Sequence, residues 1–156
     1  SLPKEKIRRL EKSAKLHDIG KIGVPEAILN KPGALTEEEY NYIKMHPVIS
    51  ERICSSLLSL RPLLPIIRHH HERYDGKGYP DGLSGEDIPL EARIIAVADC
   101  FDAMSTKRPY RERLPKERIV LIFNAGAGTQ WDKYIVDIFI KMLEDGSIEN
   151  MAIYNP

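Results

Sequence analysis

Apolar positions recur at helical spacing along almost the whole chain, and helix-opening and helix-ending signals divide the pattern into segments. Ile7, Leu10, Ala14 and His17 fall at steps of three, four and three. That spacing predicts one face of a helix opened by Pro3 and running to about Asp18. Gly20 and Gly23 supply the stop signals. Val24 to Leu29 then reads as one short helix at most, followed by a Lys31-Pro32-Gly33 turn. Thr36 with Glu39 forms a capping box for a helix in which Tyr40, Ile43 and His46 share a face. Pro47 kinks or restarts that helix, and Val48, Ile49, Ile53, Leu57 and Leu58 carry the stripe onward as core.

Pro62 is expected to start a helix with Leu63, Ile67, His70 and His71 on one side. Residues 73–88 hold four glycines and a proline, which predicts a long ordered loop, and long loops inside compact domains tend to be functional. A helix from Pro89 carries Ala92, Ile95, Ala96, Asp99, Asp102 and Ala103 along one side. After Met104 comes a basic loop, Ser105 to Arg111, that holds a tyrosine. Pro115 opens a helix to about Asn124, with Ile119, Ile122 and Phe123 inward and Gly126 and Gly128 ending it. Asp132 caps a last helix with Ile135, Ile138, Phe139, Met142 and Leu143 inward, closing at Gly146. No stretch alternates convincingly for a sheet. The expected fold class is all-α, a compact bundle of five or six main helices with two long loops.

Length and charge narrow this picture. A chain of 156 residues is long enough for one core and too short to favour two, so a single domain over residues 1–156 is expected. Basic and acidic residues balance at 23 each, which gives no net field to attract a nucleic-acid polymer. No apolar run reaches the length of a bilayer span, and no basic-then-apolar signal segment opens the chain, so a cytoplasmic location is expected, with tethering to a membrane sensor left open. Cys54 and Cys100 lack any CxxC spacing and read as buried thiols. Because numbering begins at Ser1 and Leu2-Pro3 leads straight into a helix, a fragment of something longer is expected.

The polar groups on inward faces are His17, Asp18, His46, His70, His71 and Asp99, drawn from four predicted helices. A lone inward histidine is more often bonded to a carbonyl than to a metal. Several such faces each carrying a histidine, with carboxylates beside them, are better explained as a metal site. Six donors exceed what one tetrahedral ion can use, whereas two ions sharing Asp18 would use them all. His69 points about 100° away from His70 on a helix and reads as a bystander. Asp102 is as plausible a partner orienting a ligand as a surface acid. Two ions with cations around them suit phosphoester hydrolysis, in which a metal-bridging hydroxide attacks phosphorus in line. Lys21, Arg108 and Arg111 would then balance phosphate charge.

His17-Asp18-Ile19-Gly20-Lys21, His70-His71-Glu72, Asp75-Gly76-Lys77-Gly78-Tyr79-Pro80, Asp99-Cys100-Phe101-Asp102-Ala103 and Arg108-Pro109-Tyr110-Arg111 together resemble the ordered motifs of HD-GYP domains, over nearly the whole chain. That family is all-helical, belongs to the HD phosphohydrolase superfamily, and hydrolyses cyclic di-GMP to linear pGpG or to GMP. The resemblance implies that His17, Asp18, His46, His70, His71 and Asp99 are ligands of two divalent ions, iron or manganese. It implies catalytic roles for Asp18, Lys21 and Asp99. It places Lys21, Arg108 and Arg111 against the substrate, with Tyr79 on a loop near the pocket. It further implies contacts of the Gly78-Tyr79-Pro80 loop with GGDEF-domain proteins, and a covalent sensor or receiver domain outside this chain. Such domains usually carry an earlier helix with another His ligand, and some a Glu for a third metal, for which nothing before His17 serves. An N-terminally truncated domain with weakened metal loading is therefore expected, its open groove filled by a neighbouring chain in a homo-oligomer. The rival readings are a degenerate module that binds partners or the dinucleotide without turnover, and an HD hydrolase for another phosphoester.

Overall fold

A computed structural model describes residues 2–107 and 112–148. It is all-helical, and no β-strand occurs among the described residues. The α-helices are α1 (Lys4–Leu16), α2 (Glu26–Leu29), α3 (Glu37–Lys44), α4 (His46–Ser55), α5 (Leu64–Arg68), α6 (Leu90–Ser105), α7 (Lys116–Gly126) and α8 (Lys133–Glu144). Six of them run eight residues or more, so the expected count of main helices holds. Short 3-10 turns at Ile19–Gly23, Leu58–Leu63 and Gly85–Asp87 join them. No described helix is long and apolar enough to cross a membrane.

The central element is α6, because it is apolar on two sides. Ala92 and Ile95 pack with Ile66, Ile88, Leu10 and Leu83. Val97 and Met104 pack with Ile119, Phe123, Trp131, Val136 and Leu143 from α7, α8 and the turn between them. A third cluster, Cys54, Leu63 and Ile67 with Leu16, joins α4 and α5 to α1. The capping box at Thr36 and the Asp132 cap form as expected: Glu39 N donates to Thr36 Oγ1 at 3.2 Å and Tyr134 N to Asp132 Oδ1 at 2.9 Å.

Several inward faces differ from expectation. On α1, Ile7 and Ala14 are exposed and Ser13 is fully buried, so the buried face lies about one residue away from the apolar stripe. On α4 the buried side is His46, Pro47, Ser50 and Cys54, while Ile53 faces outward, as do Leu57 and Leu58 just beyond the helix. Pro47 restarts the helix after a break at Met45, and this rotates the buried face onto small and polar residues. The helix after Pro62 is shorter than expected: α5 ends at Arg68, and His70 and His71 project from the following turn. In α8, Val136 is buried and Ile138 exposed. Cys54 is buried as expected, whereas Cys100 is half-buried.

Candidate metal centre

The turn after α1 carries His17 and Asp18, and it is stitched to α4 through one hydroxyl. Ser50 Oγ donates to the His17 carbonyl at 2.7 Å and accepts from Gly20 N at 2.8 Å. The approach is so close that a Cβ on Gly20 would lie 2.1 Å from the His46 carbonyl oxygen. The same contact that packs the two segments therefore brings the two halves of the polar cluster together.

Three histidines are oriented by their own local backbone. His17, His46 and His70 each donate Nδ1–H to the carbonyl three residues earlier, of Ala14, Ile43 and Ile67, in every case at 2.7 Å. A carbonyl can only accept, so in the neutral ring Nδ1 holds the proton and Nε2 presents a lone pair. Those lone pairs converge. His46 Nε2 lies 3.2 Å from His70 Nε2 and 3.1 Å from Asp18 Oδ1. His17 Nε2 lies 3.5 Å from Asp18 Oδ2 and 3.8 Å from Asp99 Oδ1. With no hydrogen to share, His17 Nε2 and Asp18 Oδ1 remain buried without a hydrogen-bond partner. Acceptors crowded in this way repel one another unless a cation lies between them.

The donors divide into two sets that share Asp18: Asp18, His46, His70 and His71 in one, His17, Asp18 and Asp99 in the other. All six sequence-derived candidates are thus brought together, and this donor chemistry fits a pair of divalent ions held by imidazole and carboxylate. Asp18 Oδ1 faces the first set and Oδ2 the second. Burial, reinforced by neighbouring imidazoles, pushes His71 down to about 4 and His70 down to about 2, which keeps both neutral at ordinary pH. For His17, burial works in the same direction but is outweighed by Asp99 and then Asp18, so its pKa is raised. The Asp18 carboxyl is held low although burial opposes it, by contacts with His46 and Lys21, and Asp99 is held low chiefly by His17.

The remaining candidates are distributed around this cluster. Lys21 Nζ pairs with Asp18 Oδ2 at 2.5 Å, so the ammonium already touches the shared carboxylate. Tyr79 lies over His71 with ring centroids 5.0 Å apart and meets Tyr40 edge-on at 6.4 Å. A cavity of about 360 Å³ opens beside the histidines, lined by Tyr40, Tyr79, Lys77, Asp99, Gln130 and Trp131 among others. Arg108 and Arg111 lie outside the described residues. His69 is turned away: it bonds Pro65 O and Asp81, as expected of a bystander. Asp102 is exposed and bonds Thr106, which makes it a surface acid. A further cluster of His69, Glu72 and Asp81 could offer donors, but Arg68 takes both Asp81 oxygens at 2.6 and 2.8 Å. It is an ion-pair cluster. Sequence reasoning assigned no role to Tyr40, Glu72, Lys77 or Gln130, whose placement depends on contacts between distant loops.

The family model described as "HD domain" matches residues 1–135. The chain belongs to the HD domain family. Over 144 residues, 90% of the chain, it is 45% identical to the cyclic di-GMP phosphodiesterase response regulator RpfG of Xanthomonas campestris. It is 43% identical over 140 residues, 87% of the chain, to a cyclic di-GMP phosphodiesterase of Thermotoga maritima. It is also 43% identical over 123 residues, 79% of the chain, to 3'3'-cGAMP-specific phosphodiesterase 3 of Vibrio cholerae. The chain spans 38% of the length of each of the first two relatives and 27% of the third. A solved structure of a V. cholerae cyclic GMP-AMP phosphodiesterase matches with a TM-score of 0.68, over 92% of this chain and 40% of that one, and at 18% identity it shows the fold alone. The family match and the first two relatives bear out the HD-GYP resemblance read from the motifs.

Proposed function

We propose that this HD domain is the catalytic part of a cyclic dinucleotide phosphodiesterase that opens cyclic di-GMP to linear pGpG, with GMP as the further product. The observation that carries the reading is the pair of donor sets sharing Asp18 beside a cavity of about 360 Å³. On this reading His17, Asp18, His46, His70, His71 and Asp99 hold two divalent ions, iron or manganese. Bound there, such ions polarise phosphoryl oxygen and make water nucleophilic at neutral pH.

The chain's own groups supply the rest. Asp18 keeps its charge because its pKa is low, so it can serve both donor sets at once. Lys21, half-exposed and already beside Asp18, adds a cation where a phosphate would approach. Tyr79 and Tyr40 wall the cavity and limit water, and Arg108 and Arg111 are placed against the dinucleotide by the motif resemblance alone. Burial keeps the His70 and His71 lone pairs free of protons. The partners and location that go with this reading are GGDEF-domain proteins at the Gly78–Pro80 turn, an attached sensor or receiver domain, and the cytoplasm.

A hybrid substrate is a second reading, favoured by the 43% identity to a relative named for 3'3'-cGAMP. The test measures metal content and turnover on one anaerobically prepared sample, offering cyclic di-GMP and 3'3'-cGAMP, with His70→Ala as control. Turnover that tracks bound metal and disappears with His70→Ala supports the proposal, and the preferred nucleotide chooses between the two readings. A metal-loaded chain that cleaves neither nucleotide refutes both and favours a binding module.

A further inference from the structure

Glu72 follows the two cluster histidines directly and is only 4% exposed. Burying a carboxylate is costly unless its oxygens are bonded, so each oxygen should have a partner. Oε1 has two: the backbone N–H groups of Asp81 and Gly82 donate to it at 2.7 and 3.1 Å. The same loop clasps Glu72 from the other side. Tyr79 N donates to the His71 carbonyl at 3.3 Å. A Cβ on Gly78 would lie 2.5 Å from Glu72 Cα, so the loop backbone rests on Glu72 itself.

Oε2 is buried without a partner, and so is Arg93 Nε on α6. Both residues line a small cavity of about 10 Å³, together with Asp132. That volume is about what one water needs, and the wall offers an N–H donor and a carboxylate acceptor. Arg93 is fixed on its far side by Nη1 donating to Asp132 Oδ2 at 2.7 Å, and Asp132 in turn caps α8.

We propose that Glu72 is a positioning residue that holds the 78–82 loop, and with it Tyr79, against the cavity beside the histidine cluster. It does so as a strut between two anchors. Oε1 grips the loop backbone, and Oε2 accepts from one buried water that accepts from Arg93 Nε–H. The ion pair from Arg93 to Asp132 then ties the loop to α6 and to the start of α8. The kinetic part of the inference rests on the phosphodiesterase reading, whereas the loop anchoring does not.

The experiment compares wild type with Glu72→Ala and Glu72→Gln, using site-resolved amide hydrogen exchange, metal content and steady-state kinetics on cyclic di-GMP. Glu72→Ala is expected to speed exchange at Asp81 and Gly82 about tenfold, leaving the Val97 and Phe123 amides unchanged. Glu72→Gln, whose amide oxygen still accepts both N–H groups but carries no charge, should keep most of that protection and speed exchange there only about twofold to threefold, a change that can be read even where the alanine variant fails to fold. With metal content unchanged, KM is expected to rise on the order of tenfold in Glu72→Ala while kcat holds within about twofold. A crystal structure of wild type should show one water bonded to both Arg93 Nε and Glu72 Oε2. Unchanged exchange at Asp81 and Gly82, or loss of metal with a matching fall in kcat, would overturn the positioning role. A direct Arg93–Glu72 pair would overturn the water. If wild type cleaves no cyclic dinucleotide, the functional reading fails while the exchange comparison still decides the anchoring.

Discussion

Two buried serines should respond in opposite ways to the same change. Ser50 and Ser13 are both fully buried. Ser50 Oγ serves the Gly20 N–H and the His17 carbonyl, whereas Ser13 Oγ has no partner. Ser50→Ala strands one buried donor and one buried acceptor, at about 1–3 kcal/mol each, so a loss of about 2–6 kcal/mol is expected. Ser13→Ala removes a hydroxyl that bonds nothing and places the best helix former inside α1, so stability should hold or rise by up to about 1 kcal/mol. Urea unfolding of the metal-free chain, followed by far-ultraviolet circular dichroism, measures both. Because the Ser50 bonds join the turn carrying His17 and Asp18 to the helix carrying His46, metal affinity should fall in Ser50→Ala and hold in Ser13→Ala. A Ser50→Ala variant within about 0.5 kcal/mol of wild type, or a Ser13→Ala variant equally destabilised, would show that the hydroxyl is not what couples these segments.

Asp18→Asn should abolish binding of both ions, since the residue belongs to both donor sets, whereas Asp99→Asn should lose only the ion on the His17 side; metal analysis after gel filtration distinguishes them, and equal losses would count against the shared carboxylate. Gly78→Ala puts a Cβ 2.3 Å from Arg73 N, and is expected to cost about 3 kcal/mol in urea unfolding and to displace Tyr79; an unchanged midpoint would contradict the close packing. The metal-free chain should lose stability as pH falls from 6.5 toward 4, because His71, held down to about 4 when folded, takes up a proton only on unfolding in that window. His70 extends the loss to lower pH, while His17, whose pKa is raised, works the other way. Unfolding midpoints at pH 7 and pH 5 check the sign, and equal midpoints would mean the histidines are not buried neutral.

How much of this could be read beforehand depended on whether a signal was local. The helical fold class and the caps at Thr36 and Asp132 are local, and they appear where the residues placed them. The cluster of six donors was legible because several histidines on apolar faces share no other simple explanation. Which apolar side chains face inward was less legible. Leu57 and Leu58 extend the stripe of α4, yet the break at Met45 and the close approach of Gly20 turn Ser50 inward instead. Likewise α5 stops at Arg68: His69 N still bonds Pro65 O, but Glu72 N then turns back to His69 O and the His71 carbonyl accepts from Tyr79 N in the loop that follows. Glu72 could have been suspected from its place after two histidines, but its partners are backbone amides nine and ten residues later, which no periodicity reveals.

Each imidazole that donates Nδ1–H to a carbonyl three residues back takes its orientation from its own stretch of backbone. Drift among the surrounding side chains can therefore proceed without rotating these rings. A lineage carrying this centre is free to rebuild the walls of the cavity, and so exchange one ligand for another, while the donors keep their aim.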